Sequence, residues 1–281
     1  AIVKHPHIKR IAFIGSVPTG MKIQNAASEV AVKNVSLELG GKNPLIACPD
    51  ADIDEVATAA IRGMNFAWQG QSCGSTSRIL LHESLHDAVV AKMVEKLKAI
   101  RIGDPLDPDV NMGPMNSKKQ YDRVMMLIQE AKDQGAECLV GGDRPTGPGF
   151  DRGYWVQPTL FRGVNTSMNI AKTEVFGPVV SVFKWSELDE ALEIANDVDY
   201  GLTASIYTND FSTAMYLSRK VNVGYVWING TNTHFRNVPY GGTKNSGVGR
   251  EEGRDELLSY TEVKAINWNP QTSAVPGSAW K

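Results

Sequence analysis

Cysteine is scarce in this chain: 281 residues carry only Cys48, Cys73 and Cys138. An odd number at such wide spacing builds neither a disulfide framework nor a Cys-x-x-Cys metal or redox site. No apolar run approaches the ~18 residues of a membrane helix, and no charged-then-apolar leader opens the sequence. A cytoplasmic, reducing compartment and no membrane partner are therefore expected. Charge of one sign is also missing, since 29 basic against 31 acidic residues leave a net charge of -2. That balance supplies no basic field for a nucleic acid, so the expected partner is a small molecule. Metal-ligand spacing is absent as well. Asp50, Asp52 and Asp54 crowd a helix start, where acids suit the dipole, and His82 and His86 straddle a strand-to-helix boundary.

What is present is ordinary globular composition, 42% hydrophobic and 21% charged, enough for one large core or two smaller ones. Short apolar runs alternate with helical patterns along the chain. Strands are expected over 8–14, 34–39, 43–48, 77–82, 136–140, 154–161, 179–185, 202–208 and 224–229. Helices are expected over 21–32, 53–68, 85–100 with Ser84 as cap, 117–134 closed by Gly135, 187–196, 211–221 capped by Asp210, and 250–260. This alternation predicts an α/β fold, a mostly parallel sheet with crossover helices. The stretch 141–153 reads as a surface excursion, 230–249 as a long functional loop, and 261–268 alternates like an edge strand.

One thiol stands out. In Asn65-Phe66-Ala67-Trp68-Gln69-Gly70-Gln71-Ser72-Cys73-Gly74-Ser75 the cysteine sits among glycines and small polar residues, which leave the backbone bare enough for a ligand to approach. A structural thiol usually has apolar neighbours. A thiol so presented suits nucleophilic attack, provided that its pKa is lowered or a base serves it. Glu38 ends a strand pattern and reads either as such a base or as an acid paired with Lys42. Gly15-Ser16-Val17-Pro18-Thr19-Gly20 links strand to helix and reads either as an anion-binding turn or as an ordinary strand-to-helix turn. Glu174 and Phe176 read as a ribose-holding pair or as a turn acid and a core aromatic.

Gly70-Gln71-Ser72-Cys73 with Arg78, Leu37-Glu38-Leu39-Gly40-Gly41-Lys42, Glu174-Val175-Phe176-Gly177-Pro178 and Tyr240-Gly241-Gly242-Thr243-Lys244-Asn245-Ser246-Gly247 resemble, in order, motifs of the aldehyde dehydrogenase superfamily. The resemblance runs nearly end to end and is closest to the hydrolytic, betaine- or aromatic-aldehyde type. It implies Cys73 as nucleophile and Glu38 as the base that activates the hydrolytic water. It implies cofactor contacts from Gly15, Ser16, Gly20, Leu39, Gly40, Glu174 and Phe176, the cofactor being NAD with NADP left open. It implies an aldehyde tunnel lined by Phe66, Trp68, Ser72 and Tyr240, although an aromatic in a loop is as often mere packing. It divides the chain into the last part of a cofactor domain (1–41), a catalytic domain (42–245), a helix returning to the cofactor domain (246–260), and an oligomerisation strand with its tail (261–281), serving a homodimer or homotetramer.

Two family segments, Pro-Trp-Asn-x-Pro for an oxyanion amide and Lys-Pro-Ser/Ala for the adenosine ribose, are not found and are expected upstream of Ala1. The competing expectation is therefore a folded catalytic portion that keeps a reactive thiol but lacks dehydrogenase activity on its own.

Overall fold

The computed structural model describes residues 1–269. The chain opens with β1 (Arg10–Ile14), α1 (Val17–Ser28) and β2 (Asn34–Glu38); β1 and β2 run parallel, with Ile14 opposite Glu38. It then crosses at Gly40-Gly41 into a larger sheet. The next elements are β3 (Pro44–Ala47), α2 (Ile53–Gly63), β4 (Arg78–His82), α3 (Glu83–Lys98), α4 (Lys118–Asp133), β5 (Glu137–Val140), β6 (Thr159–Arg162), α5 (Asn169–Lys172) and β7 (Val179–Trp185). After these come α6 (Leu188–Asn196), β8 (Tyr200–Gly201), β9 (Thr203–Tyr207), α7 (Phe211–Lys220), β10 (Tyr225–Ile228), β11 (Thr243–Lys244), β12 (Gly247–Val248) and α8 (Arg254–Ser259).

In space the large sheet runs β10-β9-β3-β4-β7-β6-β5, parallel throughout except where β5 meets β6. Its central strands are apolar on both faces because helices cover both. Ile46 and Leu80 pack with α4, α6 and α7, whereas Leu45, Ile79 and Leu81 pack with α2 and α3. Each such side chain contributes about 1.5–3 kcal/mol on full burial. The mostly parallel α/β sheet is the one expected from the alternation of patterns.

A buried cation ties the crossing to the helices. Arg78 begins β4 with 1% exposure, and its guanidinium donates to the carbonyls of Lys42 at 2.8 Å, Ile194 at 2.7 Å and Ala195 at 2.7 Å. The last two lie in the final turn of α6, where carbonyls lack helical partners and the dipole favours a positive charge.

Several boundaries differ from expectation. The helix expected over 53–68 stops at Gly63, because Asn65 takes a left-handed φ of 58° and turns the chain into a short 3-10 segment, Phe66–Trp68. His82 rather than Ser84 caps α3, its Nδ1 accepting from the Ser84 amide at 3.2 Å. The strand expected over 154–161 is confined to β6, and the short α5 was not anticipated. The 230–249 loop contains β11 and β12, and the terminal helix shortens to α8. Residues 261–269 form no strand: Val263, Ile266 and Trp268 are 100%, 83% and 86% exposed, with no neighbouring strand among the described residues to complete a ladder. The tail beyond 269, expected to follow that strand, lies outside the described residues.

Arg78→Met should lower stability by about 3 kcal/mol or more, since it strands three buried carbonyls without a donor. Chemical denaturation of the variant checks this; an unchanged midpoint would refute the role of Arg78 as a tie.

Candidate active site

The site forms where β2 ends and the large sheet begins. Backbone approach is close there, and glycine permits it. A Cβ on Gly41 would meet the Cys73 carbonyl at 2.5 Å, and one on Gly70, at φ 64°, would meet the Gly177 carbonyl at 2.2 Å. Asn43 fastens the cysteine loop: its Nδ2 donates to the carbonyls of Cys73 at 2.8 Å and Ser75 at 2.9 Å, while its Oδ1 accepts from the Thr203 amide at 3.1 Å. From the other direction β12 lies antiparallel on β2, with Gly247 opposite Glu38; a Cβ there would meet the Leu37 carbonyl at 1.9 Å.

These contacts bring the Cys73 thiol to 3.1 Å from Glu38 Oε1, to which it donates. Glu38 is only 7% exposed. Burial raises its pKa, and the hydrogen bond from Cys73 pulls the other way. Burial, then the negative charge of Glu38, push the Cys73 thiol up to about 12. With its pKa pushed that far up, the resting sulfur is a thiol that donates to the carboxylate. The lowered pKa that a lone nucleophile would need is absent, so base assistance from Glu38 is the route to the thiolate. Tyr240 sits beside the pair, 3% exposed, with its ring 4.7 Å from that of His234 and 5.5 Å from that of Tyr225. Burial, then the charges of Cys73 and Glu38, raise its phenol pKa, so it stays a protonated donor.

A cleft of about 480 Å³ opens on the sulfur, walled by Gly15, Ser16, Gly40, Trp68, Ser72, Cys73, Glu174 and Phe176 together with Ile14, Gln71, Gln120 and Arg123. A larger hollow of about 640 Å³ beside Lys172 and Tyr200 includes none of the thiols in its wall. The smaller cleft is the one with chemistry.

The aldehyde dehydrogenase family model matches residues 1–266. The chain belongs to the aldehyde dehydrogenase family. It is 48% identical over 273 residues to aldehyde dehydrogenase tropH of Talaromyces stipitatus, covering 96% of this chain and 53% of that protein. It is 41% identical to the betaine aldehyde dehydrogenase of Brucella anthropi, covering 95% and 54%. Among solved structures, an NAD+ complex of an aldehyde dehydrogenase from Bacillus cereus superposes with TM-score 0.90 at 39% identity, over 94% of this chain and 53% of that one. A point mutant of betaine aldehyde dehydrogenase from Staphylococcus aureus, in complex with NAD+ and with a BME-modified cysteine, gives 0.88 at 35%, over 96% and 56%. The chain spans about half the length of the curated relatives it matches.

Within this aldehyde dehydrogenase chain, not every anticipated residue reaches the cleft. Gly20 and Leu39 pack on each other instead: a Cβ on Gly20 would meet the Leu39 side chain at 2.8 Å, so this glycine seats α1 on β2. Phe66 is 4% exposed in the core beside α2 and α3, whereas Trp68, at 64%, stands on the cleft rim. Tyr240 approaches Cys73 through the neighbourhood of Gly74 and is not part of the cleft wall.

Other residues were not anticipated. Gln120 donates to the carbonyls of Val175 and Phe176, each at 2.9 Å, and so supports Phe176 at a left-handed φ of 53°. Ser246 accepts from the Gly201 amide at 2.9 Å and donates to the Gly40 carbonyl at 2.6 Å. A polar Asn43 at the head of an apolar strand run was the one legible signal among these.

Removing the charge of Glu38 should ease ionisation of Cys73. At alkaline pH, where hydroxide replaces Glu38 as the base, iodoacetamide should therefore alkylate Cys73 of Glu38→Gln faster than that of wild type, read by peptide mass spectrometry; slower labelling there would show that charge repulsion is not what holds the thiol protonated.

Proposed function

We propose that this chain carries the catalytic centre of a hydrolytic, NAD-dependent aldehyde dehydrogenase, with Cys73 as nucleophile and Glu38 as base. The observation that supports it most directly is the 3.1 Å thiol–carboxylate contact at the floor of a cleft. Glu38 takes the thiol proton as sulfur bonds to the aldehyde carbon. The oxygen that gains charge is stabilised by donors placed around it, the Cys73 amide being one of them. After hydride departure, the acyl group rests on Cys73 as a thioester. Glu38, having passed its first proton to solvent, accepts one from water as that water attacks; the acid leaves and the sulfur recovers a proton. The base thus acts twice, and burial suits it by lifting its pKa toward neutrality.

The residues fit a dinucleotide. Ser16 caps α1 without a side-chain bond to the helix backbone, and the first turn holds no acid; Pro18 has no amide hydrogen and the Thr19 and Gly20 amides donate to the Ser16 carbonyl at 3.0 and 2.9 Å, so the donors left for a phosphate are the Ser16 and Val17 amides. Glu174 accepts from the Gly41 amide at 3.0 Å and has oxygen lone pairs left for ribose hydroxyls, with Phe176 beside it. NAD, when bound, supplies the hydride acceptor. Several solved neighbours are NAD+ complexes, which favours NAD over NADP.

A second reading is favoured by the coverage of about half of each relative: a folded catalytic portion with a reactive thiol that does not turn over alone. Thiol titration beside NAD binding by fluorescence separates the two, since labelling without cofactor affinity supports the portion and both together support the enzyme.

Assembly is proposed to use a second copy of the chain. β10 is an edge strand of the large sheet, and the alternating 261–268 segment presents exposed apolar side chains without a partner strand among the described residues.

On the longest natural polypeptide carrying this chain, Cys73→Ser should abolish aldehyde oxidation. At neutral pH Glu38→Gln should release the first equivalent of NADH more slowly than wild type and then stall, seen by stopped-flow absorbance, and steady turnover equal to wild type would refute the base. Truncation after Tyr260 should reduce the oligomer measured by light scattering, and an unchanged mass would exclude the tail from assembly.

A further inference from the structure

Behind the Gly40-Gly41 turn lies a charge that neither the fold nor the chemistry above employs. Lys42 is 2% exposed, and its Nζ has no hydrogen-bond partner among the described residues. An apolar chain would fill the same space without desolvating an amine, so the ammonium calls for a reason. Burial draws this amine down to about 7; Arg78 adds to the fall, Glu174 resists it, and Arg123 adds to it again. Glu174 is the acid whose field favours the buried cation, although no direct ion pair joins the two among the described residues.

The geometry of Glu174 matches. Its carboxylate accepts from the Gly41 amide at 3.0 Å, and a Cβ on Gly40 would lie 2.2 Å from Oε2, so the group rests directly on the turn that leads into Lys42. Burial raises the Glu174 pKa, while the Gly41 amide, Lys42 and Arg123 hold it down. Tyr200 and Cys73, from two other segments, feel its negative charge. Arg123 lies on the cleft wall and donates to the Val175 carbonyl at 3.3 Å, where solvent and that bond weaken its field. The Lys42 charge has neither screen.

We propose that Lys42 is a positioning residue, whose charge, sealed in the interior, keeps the Glu174 carboxylate ionised and seated on the Gly40-Gly41 turn, ready to accept hydroxyl groups of a bound ribose. The ribose clause rests on the cofactor reading above; the ionisation of Glu174 does not. Lys42 then acts through Glu174 and touches no reacting atom. Because the two groups interact, they titrate as a coupled pair.

The test is a pH titration followed by NMR of the protein labelled with ¹³C in the glutamate carboxyls, the Glu174 signal being the one lost in Glu174→Gln. Lys42→Met should raise the Glu174 midpoint by about one pH unit, and Lys42→Arg should restore it. In wild type the same signal should show a second inflection near neutrality as Lys42 loses its proton, which needs no variant and so survives a Lys42→Met that does not fold. A higher midpoint leaves Glu174 neutral at mildly acid pH. NAD affinity of Lys42→Met, read by fluorescence, should therefore fall about tenfold there and recover at alkaline pH. It should fall no further when Lys42→Met is combined with Glu174→Gln. An unmoved midpoint with no second inflection, or losses that add in the double variant, would overturn the proposal. If wild type binds no NAD at all, the cofactor reading fails while the titration still decides the role of Lys42.

Discussion

A thiol and a carboxylate held 3.1 Å apart at the floor of a cleft is the constraint on which the rest of this structure depends. Partial burial makes each resist carrying charge there. Together they can keep one negative charge and one proton between them, an arrangement stable at rest and already disposed for proton transfer. Glu38 ends β2 of the small sheet and Cys73 sits in the loop that leads into β4 of the large one, so the accuracy of the contact is the accuracy of the crossing between those sheets.

That crossing is built from glycine and bare backbone. Gly40 and Gly41 admit the Glu174 carboxylate and the Cys73 carbonyl into space that any Cβ would occupy. Gly247, on β12, allows a third strand segment to close on the same strand end. Close approach of polar backbone leaves donors and acceptors to be satisfied, and buried side chains do it: Asn43 spans the cysteine loop and β9, Arg78 spans Lys42 and α6, and Ser246 spans Gly40 and Gly201. The polar rim of the large sheet at its amino end is therefore a scaffold for the cleft, while the apolar layers beneath provide the stability that tolerates it.

Much of the fold was legible because period and punctuation were clean. The runs of β3, β4 and β7 are too apolar for any place but a covered sheet, and Ser117 and Asp210 sit where helix caps belong. The misjudged places share a cause, since distant residues decided them. Helical spacing continues past Gly63, but the Gly63 carbonyl accepts from the Thr76 amide at 2.8 Å and from Asn232 Nδ2 at 3.0 Å rather than from a further helical turn, and the chain turns at Asn65. The 261–268 segment alternates as a strand should, yet a strand exists only with a neighbour to receive its hydrogen bonds.

For the candidate site, the sequence by itself determined the identities: a thiol among glycines, an acid at a strand end, a glycine pair, and an acid before a rigid turn. Motif order named Cys73, Glu38 and Glu174 because chemical type and local spacing are properties of the chain. Tertiary structure alone decided which of them meet, that Gly20 and Leu39 serve packing and Phe66 the core, and that the sulfur rests protonated. Those outcomes depend on burial and on distances between segments far apart along the chain, and the energy of a charge depends on both.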